Sequence, residues 1–350
     1  MGRLTAAMIK PWIFELFGSL ARAGDATQAE TADHYRWHIE LWRRAETLGF
    51  EGIFFSEHHF GLTFSPSPNL LIAHIAAVTK TLRLGVMGIV LPYYEPWRVV
   101  EEIGMLDHLT GGRLEIGTAS GIPQEMAQIG LSVEEANERN AEIVAILDKA
   151  LLDPVITHHG KHWDIDALRI APRVLQNPPP RWTTVVSIES ARKAARRGSK
   201  LCTGFHPIDR IEAIFDAYRE EAQRHGHPTG PDRLAIRRNV IVAADESEAV
   251  ETARTAKRLY KEALTHDPRF SDSPVPDAPG SSHGFSVGED EFIAGTAPQV
   301  AEQIIAQCRR VGCGNFLSMM GRMPNRDDRM AAYELYGREV IPRLRRAEVA

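Results

Sequence analysis

Short apolar runs rich in β-branched and aromatic residues alternate with segments of helical periodicity along nearly the whole 350-residue chain, and this alternation limits the fold more than any other feature. Candidate strands cover Trp12–Phe17, Gly52–Ser56, Leu82–Val90, Arg113–Thr118, Thr183–Ile188, Leu201–Phe205, Leu234–Ala243 and Asn315–Met319. Helical periodicity marks Ala32–Leu48, Asn69–Thr79, Trp97–Leu109, Val133–Leu152, Ile208–Arg224, Glu246–Leu264 and Pro298–Val311, with a short helix after Ser190 and a closing helix to about Arg345. Strand–helix alternation repeated about eight times predicts an α/β fold, a single (β/α)8 TIM barrel over residues 1–350, in preference to an open doubly wound sheet. The almost continuously apolar Leu84–Leu91 suits a parallel strand covered on both faces.

Two stretches interrupt the pattern. Val155–Ile165 reads as an inserted hairpin turning at Gly160, followed by a proline-rich loop through Pro180. His266–Ala294 is dense in Pro, Gly, Ser and Asp, a long loop before the last strand. It has two readings, a mobile lid at the rim of the site or a flexible insertion.

Parallel barrels place their chemistry at the carboxyl ends of the strands. The run Gly52-Ile53-Phe54-Phe55-Ser56-Glu57-His58-His59-Phe60 is a hydrophobic strand delivering a carboxylate and two imidazoles to that end. Three ionisable groups beside an apolar strand are costly unless paired or used. The strand around Met87 and Gly88, and the one ending in Thr118-Ala119-Ser120-Gly121, offer small residues that let a flat ligand approach the backbone. Ser187 and Ser190 stand where a strand gives way to a helix, either as phosphate ligands at the positive end of the helix dipole or as caps. Glu15, at the end of the first strand, faces the pocket or forms a salt bridge in the barrel wall.

No metal site is expected, because adjacent histidines on a strand point to opposite faces and rarely ligate one ion. His158, His159 and His162 are read as lying on a solvated hairpin. A net charge of -5 gives no reason to propose nucleic acid as a partner. Cys202, Cys308 and Cys313, without CxxC spacing, read as reduced thiols of a cytoplasmic protein, and Met1–Ile13 lacks the apolar run of a signal peptide or membrane span.

Four segments together resemble the luciferase-like flavin monooxygenases, the family of bacterial luciferase and the alkanesulfonate monooxygenases. They are GFEGIFFSEHHF, LRLGVMGIVLPYYEPWRVVEEIGMLDHLTGGRLEIGTASG, VVSIESARKAARRG and IAGTAPQVAEQI, spread over most of the chain in the expected order. The resemblance implies that His58 is the active-site histidine, with Glu57 and His59 orienting it or lining the pocket. It implies a strand bulge at Met87-Gly88, often carrying a non-proline cis peptide, behind the flavin ring. Ala119 and Ser120 would meet the flavin, and Ser187, Glu189 and Ser190 would form its phosphate turn. Reduced FMN from a separate reductase would react with O2 to a flavin hydroperoxide that oxidises a small organic substrate; by their place at the strand ends, Glu15, His59 and Phe60 are the expected substrate contacts. A homodimer is implied as well.

Two departures stand out. Ala119 occupies the position of luciferase's reactive cysteine, and Ser120 replaces the arginine after it. The basic partner for the phosphate is then expected from Arg139 or Arg192. The alternatives are a deazaflavin-dependent hydride-transfer enzyme on the same fold, a flavin-binding protein without catalysis, and a phosphate-binding barrel enzyme with no flavin.

Overall fold

The computed structural model describes residues 7–18, 23–61, 63–266, 289–320 and 325–349, and for 259–266 the backbone alone. Eight parallel strands close on themselves: β1 (Lys10–Glu15), β2 (Gly52–Phe55), β3 (Arg83–Val86), β4 (Leu114–Ala119), β5 (Arg181–Thr184), β6 (Lys200–Thr203), β7 (Leu234–Val242) and β8 (Asn315–Met319). Each pairs with the next, and β8 returns to β1 through Asn315↔Lys10 and Leu317↔Trp12. This is a TIM barrel, wrapped by helices that bury their apolar stripes against the outer faces of the strands.

The barrel interior is a packed plug. Trp12, Phe54, Met87, Trp182, Cys202, Ala235 and Leu317 fill it, with Trp12 and Phe54 centroids 4.9 Å apart and Phe54 and Trp182 at 5.5 Å. Glycines make room for these rings: a Cβ on Gly52 would lie 2.5 Å from the Trp12 ring, and one on Gly85 2.7 Å from Phe54. Each indole N–H finds an acceptor, Trp12 on Asn315 (3.1 Å) and Trp182 on Glu115 (2.6 Å), so the large rings are buried without an orphaned donor.

Several expectations need amending. The run Leu82–Val90 is two strands: β3 stops at Val86, and beyond the cis Met87–Gly88 peptide Ile89–Val90 pairs with Thr118–Ala119. The first helix starts at Gln28 rather than Ala32, since Thr27 and Glu30 form a reciprocal capping box. A helix at Pro123–Gln128, absent from the sequence reading, follows β4. The hairpin is present as Val155–His159 and Asp164–Arg169.

Of the expected long loop, 267–288 lies outside the described residues. Its end is not loop: Phe292–Gly295 forms a parallel strand on β7, because Ile293 and Gly295 are buried there. A helix, Ala297–Val311, then separates it from β8. Asn239 of β7 lies between Met319 of β8 and Phe292, so this extra strand continues the wall above β6.

Candidate active site

The chain leaves β2 under restraint. The Ser56 N–H donates to the Glu15 carbonyl (2.9 Å), its hydroxyl donates to the Leu16 carbonyl (3.1 Å), and the Ser65 hydroxyl donates to the Ser56 carbonyl (2.8 Å). Successive side chains then leave on opposite sides. Glu57, buried, accepts at Oε1 from His59 Nε2 (3.0 Å) and from the Tyr94 hydroxyl (3.1 Å). His58 meets a different carboxylate: its Nδ1 is 3.0 Å from Glu125 Oε1, which also accepts the His59 backbone N–H at 3.2 Å. The carboxylate that sets the His58 tautomer is therefore Glu125 and not its neighbour Glu57, which the alternation of side chains turns toward His59.

With Nδ1–H donating to Glu125, the neutral His58 ring presents Nε2 as its acceptor, and Nε2 has no hydrogen-bond partner among the described residues. The side chain keeps 25% of its surface exposed, whereas Glu125 is fully enclosed. Oε2 of Glu57, Oε2 of Glu125 and the Tyr93 hydroxyl are all buried without a protein partner. Burial raises the Tyr93 phenol, and Glu125 and Glu57 raise it further, so it stays protonated. Burial and Glu57 do the same to Tyr94. Two carboxylates, two imidazoles and two phenols thus converge at one strand end, an arrangement suited to holding and moving protons.

Sequence reasoning missed Glu125. It sits on a one-and-a-half-turn helix too short and polar to show periodicity. Its one signal was Pro123 just after the end of β4, at the first position of a helix, where the missing N–H is harmless.

β3 and β4 make the adjoining wall. A Cβ on Gly88 would come within 2.6 Å of the Thr118 carbonyl carbon, and one on Gly117 within 2.0 Å of the Val86 oxygen, so the two backbones touch with nothing between them. Ala119 and Ser120 are half-exposed at the top of this wall, and Gly121 turns away at φ +86°. Arg139, from the helix Val133–Ala150, pairs with Glu135 (3.0 Å), reaches the Pro92 carbonyl (3.5 Å), and keeps a buried Nε without partner.

At β5 the serines cap. Ser187 Oγ accepts the Ser190 N–H (3.2 Å) and Ser190 Oγ accepts the Ser187 N–H (3.1 Å), closing a reciprocal box on the helix Ile188–Arg196. Glu189 is exposed and 3.9 Å from Lys193, while Arg192 keeps a buried Nε without partner.

Glu15, one of the expected substrate contacts, has both oxygens taken by the protein. It receives the Phe17 N–H (3.0 Å), the Trp42 indole (3.0 Å) and Arg329 Nη2 (2.9 Å), while Arg329 Nη1 donates to His38 Nε2 (2.8 Å). Burial raises the Glu15 carboxyl, but Arg329 and the other donors outweigh it and hold it below the usual range. Phe60 is 45% exposed with φ +61° and stands at the rim beside His59, ring centroids 5.6 Å apart. The histidine-bearing hairpin is less solvated than its sequence suggests. Glu142 accepts from His158 Nε2 (3.1 Å) and from the N–H groups of His162 and Trp163, pulling the hairpin onto its helix.

The chain belongs to the luciferase-like monooxygenase family, whose model matches residues 16–313, and it is an oxidoreductase. An uncharacterised protein of Sinorhizobium fredii, y4wF, is 30% identical over 87% of this chain and 89% of its own length. The oxygenase component of the flavin-dependent trigonelline monooxygenase of Acinetobacter baylyi is 30% identical over 71% of this chain and 69% of its own. Among solved structures, the monooxygenase RslO1 of Streptomyces bottropensis superposes with a TM-score of 0.82 at 21% identity, covering 95% of this chain and 99% of that one. The oxygenating constituent of 3,6-diketocamphane monooxygenase from Pseudomonas putida, in complex with FMN, gives 0.78 at 24% over 96% and 98%. An F420-dependent secondary alcohol dehydrogenase gives 0.73 at 17% over 97% and 99%. At these identities the structural likeness concerns the fold.

Proposed function

We propose that this protein is the oxygenase component of a two-component monooxygenase, taking reduced FMN from a separate reductase and using O2 to oxidise a small organic substrate. The observation that carries the proposal is the pairing of His58 with the enclosed Glu125 at the barrel mouth, beside a wall of bare backbone at Gly88 and Thr118. A flat ring system fits that wall because no side chain stands between the two strands. The named function of the Acinetobacter baylyi relative and the FMN bound in the Pseudomonas putida fold neighbour support the same reading.

Reduced FMN, when bound, supplies the electrons with which dioxygen is activated. The protein's own groups do the rest. Met87-Gly88 and Ala119-Ser120 would form the surface that holds the ring. His58 holds a proton at Nδ1 through Glu125 and exchanges one at Nε2 with the reacting centre. Glu57 orients His59 through its Nε2, and the half-buried Tyr93 and Tyr94 help keep water from the proton-exchanging groups. Arg139 and Arg192, each with a buried Nε that has no partner among the described residues, would bind the phosphate with Ser187, Glu189 and Ser190 at the β5 turn. A homodimer and a cytoplasmic location are proposals of the same standing, the first tested by light scattering.

The deciding experiment titrates the purified protein with oxidised and reduced FMN and, in parallel, with deazaflavin. The proposal expects reduced FMN to bind and oxygen uptake to follow an added substrate. Binding of deazaflavin alone, with hydride transfer and no oxygen uptake, would move the protein to the F420-type reading that the dehydrogenase neighbour represents.

A further inference from the structure

β7 carries two consecutive arginines with opposite fates. Ala235 belongs to the interior plug, so Arg237 is the next inward residue toward the mouth, while Arg238 points out to Gln307 (2.9 Å). Both are almost completely enclosed, and both converge on Glu291 at the base of the extra strand. Glu291 Oε1 accepts from Arg237 Nη2 (2.6 Å) and Asn239 (2.8 Å), and Oε2 accepts from Arg238 Nη1 (3.1 Å) and the Phe205 N–H (3.1 Å). Asp290, beside it, acts on Arg238 and accepts the Ile208 N–H (3.1 Å).

Arg237 is left with donors to spare. Among the described residues, of its three nitrogens only Nη2 meets an oxygen, Nη1 has the Met319 sulfur at 3.6 Å, and Nε has no partner. A guanidinium carries five N–H groups, and leaving them unmet in a buried site is costly. The Phe205 ring, 3.6 Å from the guanidinium carbon, and Phe14, at 5.9 Å, flank it with apolar surface. Gly204 is what lets the group lie there, since a Cβ would stand 2.7 Å from Nε. Anchoring the wall above β6 requires Glu291 and its bond to Arg238; it does not require a second, inward-facing guanidinium with unused donors.

We propose that Arg237 docks the carboxylate of an organic-acid substrate whose apolar body lies against Phe205 and Phe14. The inference rests on the monooxygenase reading and names its substrate class. A planar carboxylate matches the geometry of a guanidinium and forms charge-assisted bonds with it, stronger than neutral ones.

The test is equilibrium binding, by calorimetry, of benzoate, phenylacetate and octanoate, each against its own amide, to the wild type and to Arg237→Met. At least one acid should bind ten times tighter than its amide, and Arg237→Met should lose that preference while amide affinity stays within threefold. Arg238 and Asn239 still hold Glu291 in that variant, so the fold should persist. Should it not, Arg237→Lys keeps the charge but has no donor at Nε, and should lower acid affinity at least fivefold. No acid preference in the wild type, or an undiminished preference in the variants, overturns the proposal. So does a variant that weakens only the binding of reduced FMN, which would give Arg237 to the flavin. Wild-type FMN affinity is measured on the same preparation: its absence overturns the monooxygenase reading by itself, whatever the acids do.

Discussion

His58 and Glu125, 67 positions apart in the chain, meet at 3.0 Å between Nδ1 and Oε1, and this leaves the other ring nitrogen without a partner among the described residues on a side chain that keeps 25% of its surface exposed. The contact joins the end of β2 to the short helix after β4. It converts a strand-end imidazole into one of defined tautomer, which a general acid or base requires.

Glu125→Gln tests that contact. Glutamine keeps the size but cannot stabilise a protonated ring, and its amide can hold the ring in the wrong tautomer. Substrate turnover should fall about ten- to a hundredfold, by analogy with other partners that orient a histidine. The affinity for FMN and the melting temperature should hardly move, and the pH–rate profile should shift. An unchanged pH profile would reduce Glu125 to a packing residue.

His58→Ala removes the group proposed to exchange the proton. Loss of a positioned acid or base costs roughly 10²–10⁴ in rate. FMN should still bind, since the wall at Gly88 and Ala119 is untouched. Turnover equal to wild type would take His58 out of the mechanism.

How much of this was legible beforehand depended on how local each feature is. The barrel could be read because each of its eight strands and most of its helices advertise their own period, and Glu57-His58-His59 because they end an apolar strand. The break after Val86 was hidden inside a continuously apolar run, whose composition is the same whether one strand continues or two meet. Phe292–Gly295 was hidden by the proline- and glycine-rich sequence before it. Glu125, Arg237 and Glu291 were invisible for a different reason: each gains its meaning from a partner that only the closed barrel brings near, Glu291 reaching Arg237 across 54 positions.

Gly88→Ala addresses the wall. The added Cβ would lie 2.6 Å from the carbonyl carbon of Thr118, a backbone atom that no side-chain rotation can move aside. Overpacking of this kind costs roughly 1–3 kcal/mol. The melting temperature should drop and FMN affinity should weaken with it, because β3 and β4 must separate to admit the methyl group. A variant as stable as wild type, with unaltered FMN binding, would show that the strands are not held as close as described.

The buried histidines give a pH prediction with a definite sign. His34 and His38 sit with ring centroids 4.0 Å apart behind Glu15 and Arg329, and burial lowers them to about 4 and about 3, although Glu15 pulls in the opposite direction. Unfolded, each would titrate near 6.5. Between the folded and unfolded values the unfolded chain binds the extra protons, so stability is complete above pH 6.5 and declines as the pH falls below it. At pH 5 each ring accounts for a loss of up to about 2 kcal/mol, less than additive because the two are neighbours. Glu15, held low, keeps its own contribution through this window and loses it only at more acid pH. His34→Phe separates the effect from mere packing: His34 Nε2 has no partner to lose, and the ring already lies against Phe17 and Phe64. Urea unfolding at pH 7.5 should find the variant close to wild type, and at pH 5.0 it should be the more stable of the two. Parallel losses in both proteins between those pH values would mean that His34 does not titrate on unfolding.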